Sequence, residues 1–378
     1  MTGGRDEGAP VSGRGISAVV TGGGTAGHVL PALAVAEALV AAGSDPEAIH
    51  YVGSRRGIET RLVPETPFPH TFLDVIGFQR RLTRRNLGFV PKMLRSTLTA
   101  RRLLRDLRPE VVVSVGGYAS MPAVFAARRL HIPVVVVSYD RFPGRASELA
   151  ARRAAACAVA FDDSPLPRAT VTGAPLRRSV LDVDRGTQRA AAREALGVPD
   201  DRFLVAVMGG SQGSGVLNGA VAEFLAEHRG DHGLAVRHVV GERFIDEAPA
   251  PLDGSDGIRY DPIGYEDRMP TVYAAADLLV GRGGASTVHE VAATGIPAVL
   301  VPWSDAAEDH QAANVRWLSD QGAAVFLAED QLDRLTEVIA GLRADPAARA
   351  DLSSAARGLG EVHRSGALAD LVRSAALA

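Results

Sequence analysis

Short runs of β-branched apolar residues alternate with longer stretches rich in Ala, Leu and Arg along most of the chain. Such runs are typical of parallel strands buried on both faces, and the stretches between them are typical of helices. Strands are predicted at residues 16–20, 49–52, 111–115, 133–138 and 156–161, and again at 203–208, 236–240, 278–280, 298–301 and 324–327. Two sets of this kind predict an α/β fold of two doubly wound, Rossmann-like domains.

The domain boundary is predicted between Val171 and Arg202, where turn residues such as Gly173 and Pro175 lead into a polar segment. Residues 1–14 are Gly-rich, lack the apolar run of a signal peptide and are predicted to form a disordered tail. We expect a first domain over 15–175, a second over 176–350 and a C-terminal helix over 351–378.

Each predicted domain opens with a strand, a Gly-rich turn and a helix. The turns read GGGTAGH at 22–28 and GGSQGSG at 209–215, and a third, GGYAS, occupies 116–120. Such a turn brings backbone N–H groups and the positive end of a helix close to a ligand, which suits phosphate, although tight turns also use glycine for geometry alone. The loops fit neither the Walker pattern nor a clean GxGxxG, so both an ATPase and a nicotinamide dehydrogenase are disfavoured.

Composition narrows the class further. The chain has 378 residues and a net charge of -3, so nothing indicates nucleic-acid binding. Cys157 is the only cysteine, which rules out an intramolecular disulfide and fits a reducing cytosol. No apolar run reaches the roughly 18 residues of a transmembrane helix.

Seven segments, in order, resemble the MurG-type family of UDP-N-acetylglucosamine transferases. They read GGGTAGHVLPALAVAEAL, VGSRRGIE, GGYASMPA, VTGAPLR, GGSQGSGVLN, RGGASTVHEVAATGIPAVLVPW and EDHQAAN. The resemblance implies a GT-B fold, with an acceptor-binding first domain, a donor-binding second domain and a C-terminal helix that returns to the first. It also implies inverting transfer from a UDP-sugar without a metal or cofactor.

The resemblance implies a donor site in the second domain. Glu290 would hold the ribose, because a carboxylate can accept hydrogen bonds from two neighbouring hydroxyls. Arg177 would bind phosphate. Glu290 can also be read as a solvated helix residue, and Arg177 as part of a linker ion pair. The other donor-binding candidates are Thr25, Ser211, Gln212, Gly213, Tyr265, Glu266, Ser286, Thr287, His310 and Gln311.

Catalysis is expected on the first domain. His28 ends the first Gly-rich turn, and an imidazole there can accept a proton from the attacking hydroxyl; a structural or capping role is the alternative. The family's His-Glu-Gln-Asn is replaced by Val137-Ser138-Tyr139-Asp140, so Asp140 is a rival base. The acceptor-binding candidates are Gly27, Gly117, Tyr118 and Ser138.

Residues 80–90 interleave arginines with apolar residues from Arg80 to Val90. The family uses this region to dock on an anionic membrane face, and a solvated loop is the alternative. We therefore expect a cytoplasmic protein, peripheral on the inner face of the plasma membrane. Asp182-Val183-Asp184 resembles a metal-binding DxD, but it lies in a polar linker and is interpreted as incidental.

Four functions remain open from the sequence. The first is transfer of N-acetylglucosamine from its UDP donor to a lipid-linked muramoyl peptide. The second is a related transferase acting on a small natural product or another lipid carrier, favoured by the altered segment at 137–141. The third is a UDP-sugar epimerase on the same fold, and the fourth is a silent binding paralogue, which the retained donor motifs disfavour.

Overall fold

The computed structural model describes residues 15–75, 89–210, 212–304 and 310–378. The first half of the chain forms a parallel seven-stranded sheet. The strand order is β3-β2-β1-β4-β5-β6-β7. The strands are β1 (Ala18–Thr21), β2 (Ile49–Ser54), β3 (His70–Leu73), β4 (Val111–Ser114), β5 (Val134–Ser138), β6 (Ala156–Val159) and β7 (Ala169–Val171). The helices are α1 (Ala26–Ala41), α2 (Glu59–Leu62), α3 (Phe89–Leu107), α4 (Met121–Leu130) and α5 (Arg145–Ala151).

The second half repeats this arrangement, with the strand order β10-β11-β9-β8-β12-β13-β14. The strands are β8 (Phe203–Met208), β9 (Leu234–Val239), β10 (Leu252–Asp253), β11 (Arg259–Ile263), β12 (Leu278–Arg282), β13 (Ala298–Val301) and β14 (Val325–Phe326). The helices are α6 (Arg178–Leu181), α7 (Arg185–Leu196), α8 (Gly215–Glu227), α9 (Met269–Ala275), α10 (Ala285–Thr294), α11 (His310–Ser319), α12 (Leu335–Ala344), α13 (Pro346–Gly360) and α14 (Ala367–Leu377). Only the β10–β11 pair is antiparallel among the described strands.

The predicted α/β class with two doubly wound domains is confirmed. All ten predicted strands are present within a few residues, while β3, β7, β10 and β11 were not predicted. The central strands are buried along their length, as in Val111–Ser114 and Ala298–Val301. This burial explains their continuous apolar runs.

The C-terminal segment runs back to the first sheet. Helix α14 buries Leu368 and Val372 in the same apolar cluster as Val20 of β1 and Val35 of α1. Helix α1 is therefore covered on two sides, by the sheet and by α14, which accounts for its almost uninterrupted apolar sequence. The two halves are thus joined by the linker after Val171 and by this returning helix. In the described residues, no helix is long and apolar enough to cross a membrane.

Candidate functional site in the cleft between the two sheets

A cleft of about 830 Å³ lies between the two sheets, at the carboxyl ends of their strands. Its walls come mainly from the segments that follow β1, β5, β8, β11, β12 and β13. Ligands of doubly wound proteins bind in this position, because helix N-termini and loops converge there. The first turns of α1, α8 and α10 all reach this cleft, so three positive helix ends face one space.

The wall from the second domain contains most of the residues predicted to bind the donor. Those that line the cleft are Gln212, Gly213, Tyr265, Glu266, Ser286, Thr287, Glu290 and Gln311. Ser211 lies outside the described residues. The loop before α8 needs glycine at 213, because this residue has φ +69° and a Cβ there would meet the Val240 carbonyl oxygen at 2.3 Å.

Glu290 is the sixth of the ten residues of α10, and its side chain is half-buried in this wall. Its Oε2 accepts a hydrogen bond of 2.5 Å from the Tyr273 hydroxyl of α9. Burial raises the pKa of Glu290 to about 7, although the bond from Tyr273 opposes this change. Glu290 is therefore not the solvated helix residue of the alternative interpretation.

Two further donor-wall candidates have their side chains held by the protein itself. Oε1 of Gln311 accepts from the backbone N–H groups of Gly283, at 3.2 Å, and Trp303, at 3.0 Å. The amide nitrogen is the part of Gln311 left for a ligand. The buried carboxylate of Glu266 pairs with Arg237 at 2.6 Å, so this acidic residue is neutralised within the wall.

Arg282 is a cleft residue that the sequence analysis did not single out. Its guanidinium is buried and donates to the Ser214 hydroxyl at 2.5 Å and to Oε1 of Glu329 at 2.6 Å. Ser214 caps α8 by accepting from the N–H of Leu217. Arg282 therefore fixes the end of the phosphate-type loop. Its place at the end of a predicted strand, directly before Gly283, was the available signal.

The wall from the first domain contains Gly27, His28 and Asp140 of the predicted residues. The Nδ1 atom of His28 lies 3.0 Å from the Thr25 hydroxyl oxygen. Gly116 and Gly117 lie beside the imidazole, since a Cβ at either position would be in ordinary contact with the His28 ring, at 3.4 Å. Burial lowers the pKa of His28, which favours the neutral ring.

Asp140 follows β5 and faces α11 of the other domain. Burial raises the pKa of its carboxyl group, while the His310 charge and a hydrogen bond with Asn314 lower it. Asn314 also donates to the Gly283 carbonyl oxygen at 3.3 Å. His310 packs edge-on against Phe142, with the ring centroids 5.0 Å apart. His310 thus lies beside the first-domain segment that carries Asp140.

The remaining predicted residues are described but do not line the cleft: Thr25, Gly117, Tyr118, Ser138, Arg177 and His310. Thr25 and Gly117 lie beside His28, and Ser138 is buried at the end of β5. The Nε atom of Arg177 donates to Oε1 of Glu37 on α1 at 2.6 Å. This position matches the alternative reading of Arg177 as part of an ion pair.

Two family models match the two halves of this chain. The glycosyltransferase family 28 N-terminal domain matches residues 18–159, and the family 28 C-terminal domain matches residues 204–366. The chain belongs to glycosyltransferase family 28. The resemblance to the MurG-type family is thereby confirmed, as is the prediction of a glycosyltransferase.

This glycosyltransferase is similar to curated proteins over nearly its whole length. One from Clavibacter sepedonicus is 40% identical over 94% of this chain and 96% of its own. One from Acidothermus cellulolyticus is 38% identical over 95% of this chain and 98% of its own. Both are named "UDP-N-acetylglucosamine--N-acetylmuramyl-(pentapeptide) pyrophosphoryl-undecaprenol N-acetylglucosamine transferase".

Solved structures support the same fold for this glycosyltransferase. The crystal structure of Acinetobacter baumannii MurG matches with a TM-score of 0.68 and 26% identity, covering 94% of this chain and 99% of that one. A UDP-GlcNAc 2-epimerase from Neisseria meningitidis, bound to UDP-GlcNAc, matches with a TM-score of 0.64 over 95% and 99% of the chains. At 12% identity, the epimerase shows the shared fold alone.

Proposed function

We propose that this glycosyltransferase moves N-acetylglucosamine from its UDP donor to a hydroxyl of a lipid-linked muramoyl peptide, with inversion at the anomeric carbon. The observation that carries the proposal is the division of the cleft. One wall has helix N-termini and the half-buried Glu290, and the opposite wall has His28 and Asp140. The substrate pair is that of the named relatives at 40% and 38% identity.

The donor would occupy the second-domain wall. The diphosphate is assigned to the loop that leads into α8, at Gln212 and Gly213, and to the first turn of α10, at Ser286 and Thr287; Ser211 is a candidate from the sequence alone. Backbone N–H groups there are placed to stabilise the charge on the departing UDP. Glu290 is assigned to the ribose hydroxyls, the Tyr265–Glu266 backbone to the uracil, and the Gln311 amide nitrogen to the sugar.

His28 is assigned the role of base. The acceptor hydroxyl attacks the anomeric carbon on the face opposite UDP, a new C–O bond forms, the bond to the diphosphate oxygen breaks, and His28 takes the proton. Nε2 can accept a proton only when Nδ1 carries one, so Nδ1–H must donate to Thr25. We therefore assign Thr25 to holding this tautomer. Asp140, in the same wall, is the rival base.

The acceptor's lipid would bring the protein to a membrane surface. Of the basic-apolar segment 80–90, residues 80–88 lie outside the described residues, and α3 begins at Phe89. On α3, Leu94 and Leu98 are 59% and 56% exposed, one helical turn apart, and Arg95 beside them is exposed. An exposed apolar pair with basic neighbours suits an anionic membrane face. We propose that this face of α3 lies against the membrane.

UDP release in the presence of different acceptors tests the function. We expect release from UDP-N-acetylglucosamine with the lipid-linked muramoyl peptide and little with soluble aglycones. The second candidate, a small-molecule acceptor, is favoured by Ser138, Tyr139 and Asp140, which replace the family's Glu-Gln-Asn. Release with a soluble aglycone only would establish that candidate. Epimerised UDP-sugar without any acceptor would contradict both.

A further inference from the structure

Helix α1 contains a gap in its hydrogen bonding next to His28. In a regular helix the carbonyl oxygen of residue 27 accepts from the N–H of residue 31, but residue 31 is Pro31, which has no N–H. The Gly27 carbonyl therefore has no partner inside the helix, and because Gly27 is exposed, its partner is either water or another part of the protein.

Tyr139 supplies this partner from a distant part of the sequence. Its hydroxyl donates to the Gly27 carbonyl oxygen across 112 residues of chain. The Tyr139 side chain is 7% exposed, and Gly27 is followed at once by His28. The phenol thus completes the first turn of the helix that carries the proposed base.

The donor-binding domain holds the same tyrosine from the other side. Nε2 of His289, on α10, donates to the Tyr139 carbonyl oxygen at 2.9 Å. The Ser286 side chain, in the first turn of α10, lies near the Tyr139 phenol, where it opposes the rise in pKa that burial causes. Glu290 directly follows His289. Helix α10 therefore contacts Tyr139 at both its main chain and its hydroxyl.

The His289 ring is held in one orientation by its surroundings. It is fully buried, with its ring centroid 5.2 Å from that of Phe161 in the first domain and 5.1 Å from that of Trp317 in the second. The bond to Tyr139 fixes the proton on Nε2, and Nδ1 is buried without a hydrogen-bond partner. A neutral imidazole packed on both sides transmits small displacements of α10 to Tyr139.

We propose that Tyr139 is a positioning residue through which the donor-binding helix α10 sets the place of His28. The inference rests on the proposed function, because it takes Glu290 and Ser286 as donor contacts and His28 as the base. Donor binding fixes α10, α10 fixes Tyr139, and Tyr139 fixes the Gly27 carbonyl and the imidazole that follows it. Donor binding thereby restrains the proposed base in its working position.

Two substitutions separate this coupling from simple structural support. Tyr139→Phe removes only the hydroxyl, and Pro31→Ala restores an N–H that can reach the Gly27 carbonyl inside the helix. If the hydroxyl merely completes α1, the double variant Pro31→Ala/Tyr139→Phe regains full function. If Tyr139 couples the domains, the double variant regains a closed first turn but not its response to the donor.

Hydrogen exchange of the first turn of α1, with and without UDP, measures this response. The amides of His28 and Val29 donate to the Thr25 carbonyl oxygen, so their exchange reports opening of that turn. We expect UDP to slow their exchange in the wild type. In Tyr139→Phe the exchange is faster and insensitive to UDP. In the double variant it is slow and insensitive to UDP.

Kinetics supply the second readout. We expect Tyr139→Phe to lower kcat by about 10- to 100-fold, as for a misplaced catalytic group, with the donor KM changed less than about twofold. Tyr51→Phe is the matched control. It removes a buried hydroxyl that donates to the Gly22 carbonyl of the same loop at 2.5 Å without crossing between the domains, so its response to UDP should persist.

The outcomes separate the inference from the proposed function. Recovery of both kcat and the UDP response in the double variant overturns the coupling. So does wild-type protein that binds UDP with unchanged exchange at 28 and 29, a measurement that depends on no variant. Wild-type protein that binds no UDP-sugar contradicts the proposed function, and the inference falls with it.

Discussion

The Tyr273 hydroxyl donates a 2.5 Å hydrogen bond to the carboxyl group of Glu290. This contact joins α9 to α10 behind the wall to which we assign the donor ribose. Because burial raises the pKa of Glu290 to about 7, its charge changes within the working pH range.

Donor affinity should therefore depend on pH through Glu290. The carboxylate accepts from two ribose hydroxyls, and its fraction falls from about 90% near pH 8 to about 10% near pH 6 for a pKa near 7. We expect the dissociation constant of UDP, measured by calorimetry, to rise about five- to tenfold over this range.

Two variants of this pair test the assignment. Tyr273→Phe removes a bond that stabilises the carboxylate, so the loss of affinity should begin at a higher pH. Glu290→Gln should bind UDP weakly at every pH. An unchanged pH dependence in Glu290→Gln would assign the titration to another group.

His28→Ala should separate catalysis from binding. Loss of a general base lowers kcat by about 10²- to 10⁴-fold, and the donor KM should change by less than about threefold, because His28 lies on the opposite wall. Since burial lowers the pKa of His28 below its usual 6.5, kcat should fall only in acid. A variant with wild-type kcat would remove His28 from the mechanism, and a larger loss in Asp140→Asn would transfer the role.

The central strands were mostly predictable, but three of the four edge strands, β3, β7 and β10, were not. A strand covered on both faces needs apolar residues throughout, whereas β7 (Ala169–Val171) is exposed at every position. Pro262 also disfavours the prediction of a strand at β11. It is tolerated because β10 pairs only with Arg259 and Tyr260, so the backbone of residue 262 faces no partner on that side.

The residue types at the site were more predictable than their partners. The Gly-rich turns, Glu290 and Gln311 lie in segments whose order reveals the family, so the residues of the wall to which we assign the donor could be named from the sequence. Tyr139 was noted only as a replaced family residue. Its bond to Gly27 spans 112 positions and exists because Pro31 lacks an N–H, a relation that no local pattern contains.

The ion pair between Arg177 and Glu37 allows a test of whether Arg177 contacts the donor. Their ion pair is partly exposed, at 36% and 22% of the two side chains. We expect Arg177→Ala and Glu37→Gln to lower the free energy of unfolding alike, by about 0.5 to 1 kcal/mol. Neither should change the donor KM. A raised donor KM in Arg177→Ala alone would restore Arg177 as a phosphate contact.

Stability should fall in mild acid because of two buried histidines between the domains. Burial lowers the pKa of His289 to about 4 and, with the nearby His289 and Arg364, that of His363 to about 2. Both rings bind fewer protons folded than unfolded below pH 6.5, so their stabilisation is complete above 6.5 and lost as the pH falls. The slope that each contributes rises to about 1.4 kcal/mol per pH unit below about pH 6, where the unfolded ring is protonated.

Denaturant unfolding between about pH 7 and 5 measures this slope. His363→Gln should reduce the slope of the free energy of unfolding against pH by about the contribution of one histidine, whatever its effect on stability at neutral pH. An equal slope in wild type and variant would show that His363 is not the titrating group.

The central claim is sugar transfer to a lipid-linked acceptor, and radiolabelled UDP-N-acetylglucosamine tests it most directly. The label should enter the organic-extractable muramoyl-peptide lipid, with one UDP released per sugar and a β-linked product. Glu290→Gln should slow this transfer at low donor concentration. UDP released without label in the lipid fraction, or label found only on a soluble acceptor, would contradict the account.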